Sequence, residues 1–228
     1  RDLHKAIRRQ RQMCIRDSLN ETITVPEDIF EELTAQDASV AGFNPYEQPT
    51  VRDLLYGVLL PSGADACETL ARAVGGSEEG FVAMMNQKAE ELGLTNTHFE
   101  NCTGLHNDNH YSTCRDIAVL MSECLKSDTF REIVTREVYT TEATASHPEG
   151  ITLYDTMLHR FTSYEMSTTL ENGAVIEGGK TGFTDEAGQC LVSFAEYGGE
   201  EYILVTAEAM TDSGSAVDSI ADASTVYG

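Results

Sequence analysis

Polar and apolar positions change rhythm once along this chain, from helical spacing in the first half to strand-like blocks after Ala174. Thr50 caps a helix predicted over Val51–Leu60, with Asp53 three residues on supplying a weaker form of the capping box. Pro61-Ser62-Gly63 breaks that pattern, and the next helix is expected over Asp65–Val74, stopped by Gly75-Gly76. Ser77 then caps a longer helix. Glu78 and Glu79 fill its first turn, Phe81, Met84, Met85, Lys88 and Leu92 recur along it, and Gly93 ends it. The Met84-Met85 pair reads as core packing. Thr113 starts a further helix to about Leu125, with Ile117, Leu120, Met121 and Cys124 on one face.

The remaining stretches carry other signals. Glu21–Val25 reads as a short strand ended by Pro26, and the next 25 residues as mostly loop. Thr95–Tyr111 is polar, with Asn101, Gly104, Asn107, Asp108 and Asn109 favouring turns. Residues 130–170 are less regular and predict short strands and an extended excursion. Ala174–Lys180, Gln189–Glu196 and Glu201–Glu208 read as three strands, the last two joined by a tight hairpin at Tyr197-Gly198-Gly199. The outline is a helical lobe followed by an antiparallel sheet. A chain of 228 residues is long enough for one domain of two lobes.

Charge divides the chain unevenly. Residues 1–16 hold six of the fifteen basic residues and one acidic residue, whereas 17–228 hold nine basic and 37 acidic ones. A body this acidic repels nucleic acid and anionic lipid at long range, which sets those partners aside. The basic head is foreign to the acidic body: RQRQMCIRDS resembles a translated sequencing-adapter junction, and 1–16 is excluded from fold reasoning. No apolar run approaches the length of a transmembrane helix, and the N-terminus lacks a signal-peptide stretch. The six cysteines (14, 67, 102, 114, 124 and 190) form no CxxC pair and no structural-zinc spacing, so they leave the redox compartment open. One or two disulfides are compatible with an exported chain.

Chemistry is sparse, and each candidate has a bland counterpart. Lys180-Thr181-Gly182 combines a cation, a hydroxyl and a glycine at the start of an expected strand-to-strand connection, a cradle for a substrate carboxylate or simply a solvated turn. The consecutive Gly178-Gly179 favours the cradle, because strand glycines often mark a close backbone approach. Ser62, at the corner between two helices, is either a proton-shuttling hydroxyl or a helix cap. His106, His110 and Asp108 are the least poor metal candidates, without helical facing or an HExxH run. No GxSxG elbow, P-loop or dinucleotide fingerprint occurs.

Three ordered segments carry a resemblance: VRDLLYGVLLPSGADACETLA, GSEEGFVAMMNQKAEELGLTNTHFENCTGLHNDNHYSTCRDIAVLM and EGGKTGFTDEAGQCLVSFA. Together they resemble the D-alanyl-D-alanine carboxypeptidases, low-molecular-weight penicillin-binding proteins of the SxxK acyl-enzyme superfamily, over roughly residues 20–220. The resemblance implies an α/β two-lobed, β-lactamase/transpeptidase-like fold, an antiparallel sheet with a helical lobe. It implies removal of the terminal D-alanine from peptidoglycan stem peptides through an acyl-enzyme, with β-lactams as substrate mimics and no cofactor or metal. By position it makes Ser62 the serine of the second motif, a catalytic proton relay. Lys180 and Thr181 become the carboxylate-binding pair, Gly182 gives backbone clearance, and Thr184 shapes the following loop. An extracytoplasmic location follows from the same resemblance, with any membrane contact made by elements outside this chain.

Two departures qualify it. The second motif ends in Ala64 where the family has asparagine, and no serine of the chain is followed three residues later by lysine. The family spacing would place that nucleophile helix upstream of Glu21. The expectation is therefore a domain over 17–228 incomplete at the N-terminus, and a chain that does not turn over alone. The alternatives are a non-catalytic wall-peptide binding module, favoured by Ala64, and a serine β-lactamase, which fits the GLHNDNHYST run less well.

Overall fold

The computed structural model describes residues 18–209 and 218–228. The basic head and Cys14 lie outside the described residues. Helices α1 (Ile29–Ala35), α2 (Val51–Leu59), α3 (Ala64–Gly75), α4 (Glu78–Glu91), α5 (Cys114–Cys124) and α6 (Asp128–Val134) precede a two-stranded ribbon of β1 (Val138–Thr140) and β2 (Thr152–Tyr154). Helix α7 (Leu158–Ser163) leads into an antiparallel sheet of β3 (Val175–Thr184), β4 (Gly188–Tyr197) and β5 (Glu200–Ala209), and α8 (Asp218–Tyr227) closes the described chain. The sheet order is β3-β4-β5, which leaves β3 at an edge.

Local chemistry fixes the helix starts. The Thr50 hydroxyl accepts the Asp53 amide at 3.1 Å while the Asp53 carboxylate accepts the Thr50 amide at 3.1 Å, a complete capping box. Ser77 and Thr113 cap α4 and α5 through the amides of Gly80 and Asp116. Gly76, at φ 77°, ends α3 in the left-handed conformation that glycine adopts without strain. One core gathers Val25, Ile29, Leu33, Phe43, Leu54, Tyr56, Leu60 and Ile133 between the helices. A second packs Met157, Phe161, Ile176 and Leu191 under Ile220 and Ala223 of α8.

Several expectations give way to the tertiary structure. Glu21–Val25 is not a strand: it makes one isolated bridge, Thr22 to Thr50, and runs extended with Ile23 and Val25 donating to Pro49 and Glu47. Helix α1 forms inside the stretch expected as loop, because Ile29 and Leu33, four apart, bury one face in the core. Helix α7 forms within the irregular stretch 130–170, and α6 runs into it from Asp128. Helix α4 lies near the surface with Ala89 as its buried residue, and Met84 is 47% exposed, so the methionine pair is not core packing.

Strand β3 continues past Lys180 to Thr184, pairing Lys180, Thr181 and Gly182 with Val192, Leu191 and Cys190. The lysine triad therefore sits within an edge strand and not at the start of a connection. Gly178 and Gly179 do mark a close approach, but to the protein itself. A β-carbon at Gly178 would lie 2.3 Å from the Val134 carbonyl oxygen, and one at Gly179 2.4 Å from that of Val192. At the other end, Gly198 and Gly199 have φ of 64° and 83°, the handedness that a two-residue hairpin needs.

Candidate active site

The corner between α2 and α3 presents Ser62. Its backbone is left-handed, at φ 61°, a conformation that a residue with a side chain holds at a cost of about 1 kcal/mol. The surroundings enforce it. Gly63 donates to the Gly57 carbonyl at 2.8 Å, Ala64 donates to the Ser39 carbonyl at 2.8 Å, and a β-carbon at Gly63 would lie 2.6 Å from that of Ala41. Beneath them the fully buried Asp65 carboxylate accepts the amides of Ala41, Gly42 and Phe43 at 2.7, 3.0 and 3.0 Å. One carboxylate thus ties the serine corner to the loop before α2. Ala64 is buried and offers only a methyl group at this position.

Across from the corner, β3 supplies Lys180. Its ammonium donates to the Ser62 hydroxyl and, at 3.0 Å, to the Thr181 carbonyl. The Thr181 hydroxyl lies 2.6 Å from that of Thr156. Burial pulls the Lys180 ammonium down to about 8, with the Asp155 carboxylate opposing and the Arg160 guanidinium adding to the fall. Asp155, 1% exposed, is pushed up to about 6 by burial, against the amides of Leu158 and Met157 that donate to it at 2.7 and 2.9 Å and the charge of Lys180. Between those two values the site holds an ammonium with a buried carboxylate behind it.

Ser62, Lys180, Thr181, Gly182 and Thr184 all line one cleft of about 580 Å³ between the helical part and the sheet, together with Thr156, Arg160 and the Thr103–Leu105 segment. Gly182 is exposed, and a β-carbon there would meet nothing nearer than Cys190 at 3.7 Å. The Thr184 hydroxyl accepts the Ala187 amide at 3.0 Å and so braces the β3–β4 turn. Asp65, Asp155, Thr156 and Arg160 were not among the sequence candidates. Only Asp65, directly after the corner, carried a local signal, as a first-turn acid. The histidines do not converge: His106 pairs with Glu186 and Asp108, while His110 packs edge-on to Phe99 and accepts the Glu100 amide. Among the described residues, the three side chains whose ligand atoms gather within 4.8 Å are Glu68, Glu78 and Cys102.

A helical lobe with a strained serine corner, facing an edge strand that bears Lys-Thr-Gly, defines the two-lobed fold of the penicillin-binding, transpeptidase-like proteins. Within that class the chain belongs to the D-alanyl-D-alanine carboxypeptidase family, whose model matches residues 13–211. It is 35% identical over 182 residues to D-alanyl-D-alanine carboxypeptidase DacF of Bacillus subtilis, covering 79% of this chain and 43% of that one. It is also 35% identical over 192 residues to a Streptomyces D-alanyl-D-alanine carboxypeptidase, covering 82% of this chain and 64% of the relative. The crystal structure of a Streptomyces DD-transpeptidase superimposes with a TM-score of 0.75 at 32% identity, covering 92% of this chain and 79% of that structure. The chain thus spans from under half to just under two thirds of the length of these two relatives.

Proposed function

We propose that this chain forms the substrate-binding wall of a serine-type D-Ala-D-Ala carboxypeptidase that trims the terminal D-alanine from peptidoglycan stem peptides. The observation that carries the reading is the Lys180–Ser62 hydrogen bond across the cleft, with Thr181 beside it. Lys180 and Thr181 anchor the terminal carboxylate of the substrate, and the open face of Gly182 admits its backbone alongside β3. Ser62 accepts from Lys180 and keeps its own proton to donate, as a relay to the departing amine needs. Thr184 holds the turn that borders the cleft.

The covalent step runs through a nucleophilic serine. It attacks the carbonyl carbon of the D-Ala-D-Ala peptide bond, and backbone amides stabilise the resulting oxyanion. D-Alanine leaves with the relayed proton, and water hydrolyses the acyl-enzyme. The same serine opens the ring of a β-lactam that occupies the cleft. The 228 residues contain no serine with lysine three positions on, so this chain alone is expected to bind and not to turn over. An extracytoplasmic site of action follows from the substrate. Among the described residues no helix is long and apolar enough to cross a membrane.

Binding tests the reading. The 228-residue chain is expected to bind a D-Ala-D-Ala-terminated peptide in preference to its L-Ala-L-Ala counterpart, without releasing D-alanine and without covalent labelling by penicillin. Equal affinity for both peptides overturns the substrate assignment; release of D-alanine overturns the inactivity. A second reading, a wall-peptide binding module, is favoured by Ala64, whose methyl group makes none of the hydrogen bonds that an amide at this corner would offer.

A further inference from the structure

Two cysteines that take no part in the Ser62–Lys180 arrangement lie side by side in the wall of the same cleft. Cys67 lies one turn into α3, and Cys102 lies 35 residues further along, on the segment before α5. The Cys67 thiol donates to the Cys102 carbonyl oxygen at 2.9 Å, which sets the Cys67 sulfur against the backbone of Cys102. Both are half-buried and both line the cleft, so a reagent in the cleft can reach them. Around them stand carboxylates. Glu68 accepts from the Cys102 thiol at 3.5 Å, and Glu78 accepts the Cys102 amide at 3.1 Å.

We propose that Cys67 and Cys102 form a disulfide that clamps the segment bearing Thr103, Gly104 and Leu105 onto α3 and so fixes one wall of the cleft. The oxidant is an external disulfide, whether a small molecule or the active-site disulfide of a thiol oxidoreductase. Its sulfur is attacked by one cysteine thiolate, which gives a mixed disulfide and releases one thiol that takes up the proton. The second cysteine, losing its proton to solvent, attacks the protein sulfur of that mixed disulfide and releases the second external thiol. Two protein thiols are oxidised and one external disulfide is reduced to two thiols. The Cys102 thiol is pushed far up by its hydrogen bond with Cys67, then by burial and by the charges of Cys67, Glu68 and Glu78.

The consequence is mechanical. The clamp fixes Cys102, directly before Thr103, to a residue five positions after Ser62. The segment also carries Gly104 in the left-handed conformation at φ 81°, a backbone that loses more freedom on ordering than any other residue type. The clamp forms whatever ligand the cleft takes.

The test uses the 228-residue chain with and without exposure to oxidised glutathione, followed by differential alkylation and peptide mapping. The expected result is one linked peptide joining Cys67 to Cys102, with the other four cysteines of the chain alkylated. The oxidised chain should melt about 5–10 °C higher than the reduced one, a rise removed by Cys67→Ala and by Cys102→Ala. Amide exchange at 101–105 should slow on oxidation of the unsubstituted chain. Separate alkylation of Cys67 and Cys102 after oxidation overturns the proposal. So does a different pairing, or protection of Cys102 that requires added zinc ion, which would assign it to a metal site with Glu68 and Glu78 instead.

Discussion

The Lys180 ammonium donates a hydrogen bond to the hydroxyl of Ser62, a residue 118 positions away in the chain. The contact joins a helix corner to a sheet edge and defines where the cleft lies. It also places a desolvated cation beside a hydroxyl whose backbone is held in a strained conformation, a combination that clusters at functional sites. On the proposed reading, ligand affinity and its pH dependence rest on this contact and on the groups that support it.

Replacing Lys180 by methionine keeps most of the buried stem and removes the charge. Affinity for a D-Ala-D-Ala-terminated peptide, measured by calorimetry, should fall about 10- to 100-fold, the worth of a charge-assisted hydrogen bond to a carboxylate. Thr181→Val should lose less, about 3- to 10-fold, because a neutral hydroxyl donates the lost bond. Unchanged affinity in Lys180→Met would remove the carboxylate-anchor role.

Peptide affinity should depend on pH through Lys180. The ammonium loses its proton near pH 8, so binding is expected to weaken as pH rises through about 8. Asp155 supports the charged form, and Asp155→Asn should move that midpoint to lower pH. A midpoint that stays put or rises in this variant would show that Asp155 does not act on Lys180.

Stability should depend on pH through the same two groups, with opposite signs. Asp155 is raised to about 6 in the folded chain, so its contribution is full below the unfolded carboxylate range near pH 4 and is lost as pH rises through about 6. That rise corresponds to about 3 kcal/mol. Lys180 is depressed to about 8, so its contribution is present above the unfolded lysine value near pH 10 and is lost as pH falls through about 8. Urea unfolding across pH 4–7 should show the Asp155 slope in the unsubstituted chain and not in Asp155→Asn.

Asp65→Ala leaves three amides, those of Ala41, Gly42 and Phe43, without their acceptor. Unfolding free energy should drop by about 3 kcal/mol or more, and peptide affinity should fall with it because the Ser62 corner loses its anchor. A loss below about 1 kcal/mol in denaturant unfolding would argue against that anchoring role.

The two glycines of β3 should separate packing from clearance. Gly179→Ala drives a methyl against the Val192 carbonyl and the Met157 sulfur, and should destabilise by about 1–3 kcal/mol through overpacking. Gly182→Ala meets only Cys190 at 3.7 Å, so it should leave thermal stability nearly unchanged while weakening peptide binding. Equal binding by Gly182→Ala and the unsubstituted chain would remove the clearance role.

Much of the fold was legible because its signals are local. The Thr50–Asp53 box, the Ser77 and Thr113 caps and the Gly198-Gly199 hairpin each depend on residues a few positions apart, and each appears where the pattern placed it. Helices α1, α6 and α7 were not legible for the opposite reason. They are six or seven residues long, shorter than a chain holds on propensity alone, and they exist because Ile29, Ile133 and Phe161 find cores built by distant segments. The Met84-Met85 expectation failed similarly, since helical spacing does not say which face meets a neighbour.

The sequence by itself determined the candidate residues and their order. Ser62 at a helix break and Lys180-Thr181-Gly182 before a strand are local patterns, and their spacing along the chain points to one family. Only the tertiary structure decided that the lysine lies within an edge strand, that its ammonium meets Ser62, and that Gly178 and Gly179 accommodate the protein's own backbone. It alone set Asp65 under the corner and Asp155 and Arg160 around the lysine. The physical reason is range. Caps and turns are decided within a few residues, whereas burial, desolvation and charge pairing depend on which distant segments the packing brings together.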